Sequence, residues 1–101
     1  MIQRLLCLIQ GRSTKWPGVR KEFLATHPCC AACGRAKRLE VHHLRPYHLF
    51  PSMELDPTNL MTLCASPCHI VFGHCGDWKK FNLYAIVDAA THLSHVEESR
   101  K

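Results

Sequence analysis

Four histidines and one asparagine in the middle of the chain have side chains that could together hydrolyse a phosphodiester. His42 and His43 are adjacent, Asn59 follows, and His69 and His74 come later. A neutral imidazole, with an ordinary pKa of about 6.5, can accept a proton from water or bind a metal ion. An amide both donates and accepts hydrogen bonds, so Asn59 could fix a backbone carbonyl or an imidazole. If these side chains converge, they could hold a cation beside an activated water, as phosphodiester cleavage requires.

The adjacent histidines end an alternating stretch, Leu39 to His42, that predicts a short half-buried strand. Neighbouring side chains on a strand point to opposite faces, so the two imidazoles need different roles. One can bind a metal while the other faces a water. The residues alone leave open which does which.

The last two histidines have an awkward spacing. His69 directly follows a cysteine, at the start of a segment for which Pro67 permits a helix. His74 lies five positions later, whereas helix neighbours lie three or four apart. His74 could join a metal site if Gly73 turns the chain, or it could contact a phosphate or a helix end.

Two spaced cysteine pairs predict a structural zinc site. Cys30 and Cys33, with Cys64 and Cys68, supply four thiolates, which is the ligand set of a closed Zn²⁺ site. Cys29 also has a workable gap to Cys33, although the two-residue gap from Cys30 makes the tighter turn. The seven cysteines are an odd number and the N-terminus resembles no export signal, so we expect reduced thiols and a cytoplasmic location.

Charge is distributed unevenly along the 101 residues. The formal net charge is +5, with nine Lys or Arg against two Glu in residues 1–45 and four against six acidic residues after them. A basic half suits a polyanion such as DNA, although such residues also commonly form a solvated face. The residues that we expect at phosphates are Arg20, Lys21, Arg35, Lys37, Arg38 and Arg45.

The remaining elements follow from apolar spacing and from proline. We expect a weak helix over residues 1–11, a helix between Pro17 and Pro28, and a long loop over 44–58. A second strand should run from Asn59 to Cys64. The last helix should begin after Asn82 as its N-cap. Its predicted buried face comprises Leu83, Ile86, Val87, Ala90 and Leu93. Trp78, beside Lys79 and Lys80, could stack on a base or pack in the core. It shares a helical face with Phe81, which favours packing in the core.

The order of these motifs resembles one nuclease family. Cys-x-x-Cys, Glu-Val-His-His, Asp-Pro-x-Asn-Leu-x-x-Leu-Cys and Cys-His are similar to the HNH motif of the ββα-metal (His-Me finger) endonucleases, over about residues 28–75. Residues 12–24 resemble the lead-in of small phage and bacterial members. The second cysteine pair has one residue more than in many members, which shifts His69. The resemblance implies an α+β fold, in which a structural zinc on four cysteines staples a ββα-metal motif with flanking helices.

The family also implies roles for the site residues. His42 would be a metal ligand, His43 the general base, and His69 the second ligand of a catalytic Mg²⁺ or Mn²⁺, with other divalent ions sometimes accepted. Asn59 would hold the loop and orient the base. The implied products of cleavage are a 5′-phosphate and a 3′-hydroxyl.

We therefore expect one nuclease domain over residues 1–101, acting on double-stranded DNA with low sequence specificity. Its parts would be a helical lead-in (1–27), the zinc knuckle and HNH core (28–75) and a C-terminal helix (76–101). Phage members of the family suggest packaging proteins as partners and a host cytoplasm as the location. The alternative is a zinc-stabilised nucleic-acid-binding module that does not cut. Such a module would have no use for His43 and Asn59 together.

Overall fold

The computed structural model describes residues 13–100, in which two short strands lie between helical segments. Helix α1 runs Trp16–Thr26, strands β1 and β2 run Leu39–His43 and Leu60–Cys64, and helix α2 runs Ala85–Ser99. A single π-helical turn, His69–Gly73, follows β2. This arrangement confirms the predicted α+β class. The helix expected over residues 1–11 lies outside the described residues. In the described part of the chain, neither helix has the length and hydropathy that crossing a bilayer demands.

The two strands form an antiparallel pair whose register fixes the ends of the site. Leu39 pairs with Cys64 at one end and His43 with Leu60 at the other. Asn59 therefore lies beside the end of β1, where its carbonyl accepts a hydrogen bond from the Leu44 N–H at 2.8 Å. Side chains alternate along β1, so the two neighbouring histidines emerge on opposite faces, as the sequence predicted.

Each face of the sheet packs on its own apolar cluster. Val41 and Leu60 pack with Trp16 and Phe23 of α1 on one face. Met61 and Leu63 pack on the other face, in a cluster with four cysteines and three alanines: Cys30, Cys33, Cys64, Cys68, Ala32, Ala85 and Ala89. Strand β2 is buried along its whole length. The cysteine-rich cluster and the aromatic cluster thus fix the sheet from both sides.

Helix α2 differs from its prediction in both its start and its buried face. It begins at Ala85, after Tyr84, because the Asn82 side chain closes the preceding turn by accepting the Tyr84 N–H at 2.9 Å. Ala85 and Ala89 are fully buried, whereas Ile86 and Val87 are 52% and 63% exposed. The predicted face is wrong because small side chains let the helix axis approach the cysteine-rich cluster closely.

Candidate active site

Four cysteine thiols meet at the end of the sheet where Leu39 pairs with Cys64. The sulfurs of Cys30, Cys33, Cys64 and Cys68 all lie within 4.8 Å of one another. The knuckle after Cys30 directs the N–H groups of Ala32 and Cys33 at its Sγ, at 3.4 and 3.5 Å. Four convergent sulfurs are the donor set of a tetrahedral zinc site.

The structure distinguishes between Cys29 and Cys30 as the first ligand of the cysteine group. Cys29 is exposed and lies outside the group of four, whereas Cys30 is buried within it. Burial alone would raise the pKa of the Cys30 thiol, but donation from nearby backbone N–H groups outweighs burial and lowers this pKa to about 7. Burial raises the pKa of the Cys68 thiol. A cation bound among the sulfurs would favour their thiolate forms.

Three histidine nitrogens converge at a second point. Nδ1 of His42 lies 3.1 Å from Nε2 of His69, and that atom lies 3.3 Å from Nε2 of His74. Ligands held at 2.0–2.1 Å around a tetrahedral ion are about 3.3–3.4 Å apart. The spacing of the nitrogens therefore fits a shared divalent ion.

The π-helical turn explains how His74 reaches this point. In a π-helix the repeat joins residues five apart, whereas an α-helix joins residues four apart. The turn spans His69–Gly73, so the five-residue spacing that the sequence left unexplained brings the two imidazoles together. Single π turns inside helices occur frequently at functional sites.

In two of these histidines, the ring nitrogen that faces away from the shared point has a hydrogen-bond partner, which fixes the tautomer. Nδ1 of His69 lies 2.8 Å from Oε1 of Glu40, and Nδ1 of His74 lies 2.7 Å from the carbonyl oxygen of Lys80. Both partners accept, so each Nδ1 donates and each Nε2 keeps its lone pair for the shared point. Neither partner was predicted from the sequence. Glu40 had a usable signal, because it lies two residues before His42 and thus on the same face of β1.

His42 is held as a neutral, buried imidazole. It is 2% exposed, and burial, with the neighbouring His69, His74 and His43 rings, lowers its pKa to about 3. The Gly73 backbone lies against the ring: a Cβ added there would come within 2.9 Å of His42 Nδ1. Nε2 of His42 is buried with no hydrogen-bond partner among residues 13–100. A neutral imidazole that the Gly73 backbone holds this closely in one position suits a metal ligand.

His43 has a different environment on the opposite face. Its Nε2 lies 2.8 Å from the carbonyl oxygen of Glu54. A carbonyl only accepts, so Nε2 carries the proton and Nδ1 carries the lone pair. The ring lies 4.5 Å from the ring of Trp16 and 5.8 Å from that of Tyr47. These contacts hold the imidazole in one orientation with one tautomer.

Asn59 fixes the loop that orients His43. It is 2% exposed; its Oδ1 accepts the Arg45 N–H at 2.9 Å, and its Nδ2 donates to the carbonyls of Arg45 and Met53 at 3.0 and 3.1 Å. Of the two alternatives, it therefore binds backbone and not an imidazole. The Met53 carbonyl directly precedes Glu54, whose own carbonyl accepts from His43.

The buried carboxylate of Glu54 adds a second set of hydrogen bonds to this loop, which was not predicted from the sequence. The residue is 3% exposed, and both carboxylate oxygens accept the Ser13 N–H, at 3.0 and 2.9 Å. Ser13 leads into α1, which contributes Trp16 to the His43 ring contact. The segment before α1 is thereby tied to the loop that orients this histidine.

A cavity of about 330 Å³ opens onto all four histidines, namely His42, His43, His69 and His74. Its other walls include Tyr47, Trp78, Lys79 and Lys80. Trp78 is 56% exposed, and its ring centroid lies 5.1 Å from that of His69 and 4.8 Å from that of His74. The prediction that this indole packs in the core is wrong, because the segment after Gly76 turns back over the histidines instead of continuing as a helix.

The basic residues singled out from the sequence lie away from the walls of this cavity. Arg20 Nη2 donates to the Leu39 carbonyl at 3.4 Å, at the far end of β1, and the Arg45 guanidinium lies 5.4 Å from the centre of the Phe50 ring. The remaining four are exposed: Lys21, Arg35, Lys37 and Arg38. Among the described residues, the lysines that line the cavity are Lys79 and Lys80, in the half of the chain with net negative charge.

Comparison with known proteins places this site in a family context. Residues 30–70 match the family model described as HNH endonuclease. No curated protein and no solved structure gives a significant match. The matched segment contains the four clustered cysteines, both adjacent histidines, Asn59 and His69. Together with the antiparallel strands and the metal-type clusters, the match agrees with a ββα-metal fold.

Proposed function

From the match of residues 30–70 to the HNH endonuclease family, we propose that this protein is a metal-dependent endonuclease that hydrolyses DNA phosphodiester bonds. The match itself indicates nuclease-type activity in general. The observation that supports this reaction is the convergence of three imidazole nitrogens on the cavity that His43 also lines. A module that only binds nucleic acid needs neither feature.

We assign His42, His69 and His74 as the residues that hold the catalytic ion. The inward nitrogens of His69 and His74 carry lone pairs, and their spacing from each other and from His42 Nδ1 fits one ion. A divalent ion held there would stabilise the charge that builds on the phosphate and the leaving oxygen. Imidazoles suit Zn²⁺ and Ni²⁺, whereas Mg²⁺ and Mn²⁺ prefer oxygen ligands. Zn²⁺ and Ni²⁺ are therefore candidates for the ion at the three histidines, beside the expected Mg²⁺ or Mn²⁺.

His43 is the general base in this proposal, and Nδ1 is the atom that accepts the proton. Water attacks the phosphorus as its proton passes to Nδ1, and the bond from phosphorus to the 3′ oxygen breaks. The departing oxygen takes a proton from solvent, giving a 5′-phosphate and a 3′-hydroxyl. The Glu54 carbonyl keeps the opposite nitrogen protonated, so the lone pair stays on the reacting side. Asn59 acts through this carbonyl and is a positioning residue.

The four clustered cysteines hold a structural Zn²⁺ in this proposal. Four sulfurs, three of them on buried residues, would fill a tetrahedral coordination sphere, as expected of a structural site. The exposed basic residues of the first half supply contacts to DNA phosphates that do not depend on sequence. Double-stranded DNA with low sequence specificity remains the proposed substrate on this basis.

Incubation of supercoiled plasmid with the protein and Mg²⁺, Mn²⁺, Zn²⁺ or Ni²⁺ in turn tests the proposal. We expect nicked and linear products with at least one ion, formed about 10²- to 10⁴-fold more slowly by the matched His43→Ala variant. A zinc-loaded protein that binds the plasmid and cuts it with none of the four ions would instead support the non-catalytic binding module.

A further inference from the structure

An exposed indole lies directly beside the histidines that converge. Trp78 is 56% exposed although its ring contacts both His69 and His74. An aromatic side chain placed to stabilise a core would bury its area, because burial of apolar surface is what stabilises the fold. Other large apolar side chains are as exposed, but Trp78 combines its exposure with a place in the cavity wall against two of the convergent histidines.

The segment that carries Trp78 is fixed relative to the histidines. The Lys80 carbonyl accepts from His74 Nδ1 at 2.7 Å, and the Asn82 N–H donates to the Gly73 carbonyl at 3.0 Å. The Asn82 side chain adds a bond to the Phe72 carbonyl at 3.0 Å. The indole is thus pre-organised at one rim of the cavity.

The chemistry around the indole suits a nucleotide. Lys79 and Lys80 follow it directly and line the same cavity, where they offer two positive charges to phosphate. Tyr47 and His48, with ring centroids 6.3 Å apart, stand on the loop that lines the cavity beside His43. Aromatic faces interleaved with cations are how proteins bind nucleic-acid strands whose bases are unpaired.

We propose that Trp78 is a stacking platform for an unpaired nucleobase next to the phosphate that is cut. This inference rests on the proposed function, which puts that phosphate at the three histidines. A base inside a duplex has both faces covered by its neighbours, so an indole this close to the phosphate can stack only on a base that has left the helix. Double-stranded DNA thus remains a substrate, but its locally unpaired stretches, like single strands, are cut faster than intact duplex.

Fluorescence tests binding separately from cutting. The chain has two tryptophans, Trp16, which is buried, and Trp78, which is exposed. Titration of the His43→Ala protein with a single-stranded thymidine oligonucleotide should quench the emission of Trp78, and the same protein carrying Trp78→Phe should show no quenching. Quenching that persists without Trp78, or no quenching despite binding, would overturn the proposal. This readout holds even if the protein cuts nothing, so it distinguishes failure of the platform from failure of the nuclease.

Cleavage of matched substrates gives the second test. Wild-type protein should cut a single strand, or a duplex with a central unpaired bubble, faster than the fully paired duplex of the same sequence. Trp78→Ala should lower the rate on unpaired DNA by about 5- to 150-fold, as expected for loss of a stacked base, and change the rate on paired DNA little. Trp78→Phe should keep most of the preference.

Tyr84→Ala is the matched control for these rates. Tyr84 is 72% exposed and lies outside the cavity, so its loss should leave the preference for unpaired DNA unchanged. An equal loss on paired and unpaired DNA in Trp78→Ala would assign the indole a structural role and overturn the platform. So would a wild-type protein that cuts both substrates at one rate.

Discussion

The cysteine group and the histidine group are built by opposite strategies on one small sheet. The cysteine group has three buried members and receives backbone N–H groups at Cys30 Sγ. The histidine group lines an open cavity, and a carboxylate and a carbonyl hold the outer nitrogens of His69 and His74. A closed site serves stability, whereas an open one leaves room for substrate. The comparison teaches that the role of a cluster of possible metal ligands depends on its burial and on the hydrogen-bond partners of the ligand side chains.

Breaking the closed site should have the largest effect. Cys64→Ser removes one of the four sulfurs from a fully buried position, so the protein should lose its zinc and unfold or melt far below the wild type. Structural zinc contributes about 10–16 kcal/mol to the folding of small zinc domains. Elemental analysis and circular dichroism would measure both losses. Cys29→Ser, outside the group, should retain the metal and the fold; equal damage from both variants would contradict the four-sulfur assignment.

Breaking the open site should slow cleavage strongly and spare the fold. His43→Ala should lower the cleavage rate by about 10²- to 10⁴-fold, the usual range for one acid–base residue, with zinc content and DNA binding unchanged. His42→Ala should instead weaken divalent-ion binding, so that excess Mn²⁺ restores part of its rate. Cleavage rates over a range of Mn²⁺ concentrations separate the two variants. Rescue of His43→Ala but not of His42→Ala would exchange their roles.

The close approach of Gly73 to His42 makes a sharper test of the open site. Gly73→Ala would put a methyl group 2.9 Å from Nδ1 of that ring, so the ring or the π turn must move. Overpacking of this kind costs about 1–3 kcal/mol, and we expect it as weaker binding of the catalytic ion by calorimetry. Gly18→Ala is the matched control, since an added Cβ there meets nothing within 4 Å. Unchanged ion affinity in Gly73→Ala would show that the close contact with Gly73 does not position His42 for the ion.

The smallest expected effect concerns the outer partner of His69. Glu40→Gln keeps the shape of the side chain but removes the charge that fixes the Nδ1–H tautomer. Loss of such a partner typically lowers metal affinity or activity by about 10- to 100-fold. Ion titrations of the variant and the wild type would measure the shift. A variant that binds the ion as tightly as the wild type would show that the tautomer needs no carboxylate.

Local rules predicted the parts of the molecule that depend on near neighbours. The alternation of apolar and polar residues around Val41 predicted the first strand, and the spacing of the cysteines predicted the group of four. The rules failed where packing between distant segments decides. Periodicity marked Ile86 and Val87 as buried because they are large and apolar, yet the distance between α2 and the cysteine-rich cluster admits alanine there.

The candidate site was predicted in the same uneven way. The order of the histidines and Asn59 indicated the site, but the sequence could not show that the turn after Cys68 is π-helical and so recruits His74. Trp78 was assigned to the core and not to a base, because nothing local indicates that its segment folds back onto the cavity. A shared strand face did offer Glu40, two positions before His42, and that signal was overlooked.

Cys68 and His69 are consecutive residues, one in the cysteine group and the other in the histidine group. A single peptide bond therefore separates two sites of very different purpose. A chelator that strips the ion from the cysteines would release the start of the π turn and scatter the histidines. Inhibition by a chelator is then ambiguous evidence about catalysis in this chain. Ions should therefore be removed and restored one at a time, with zinc first. This order distinguishes loss of the catalytic ion from loss of the fold around it.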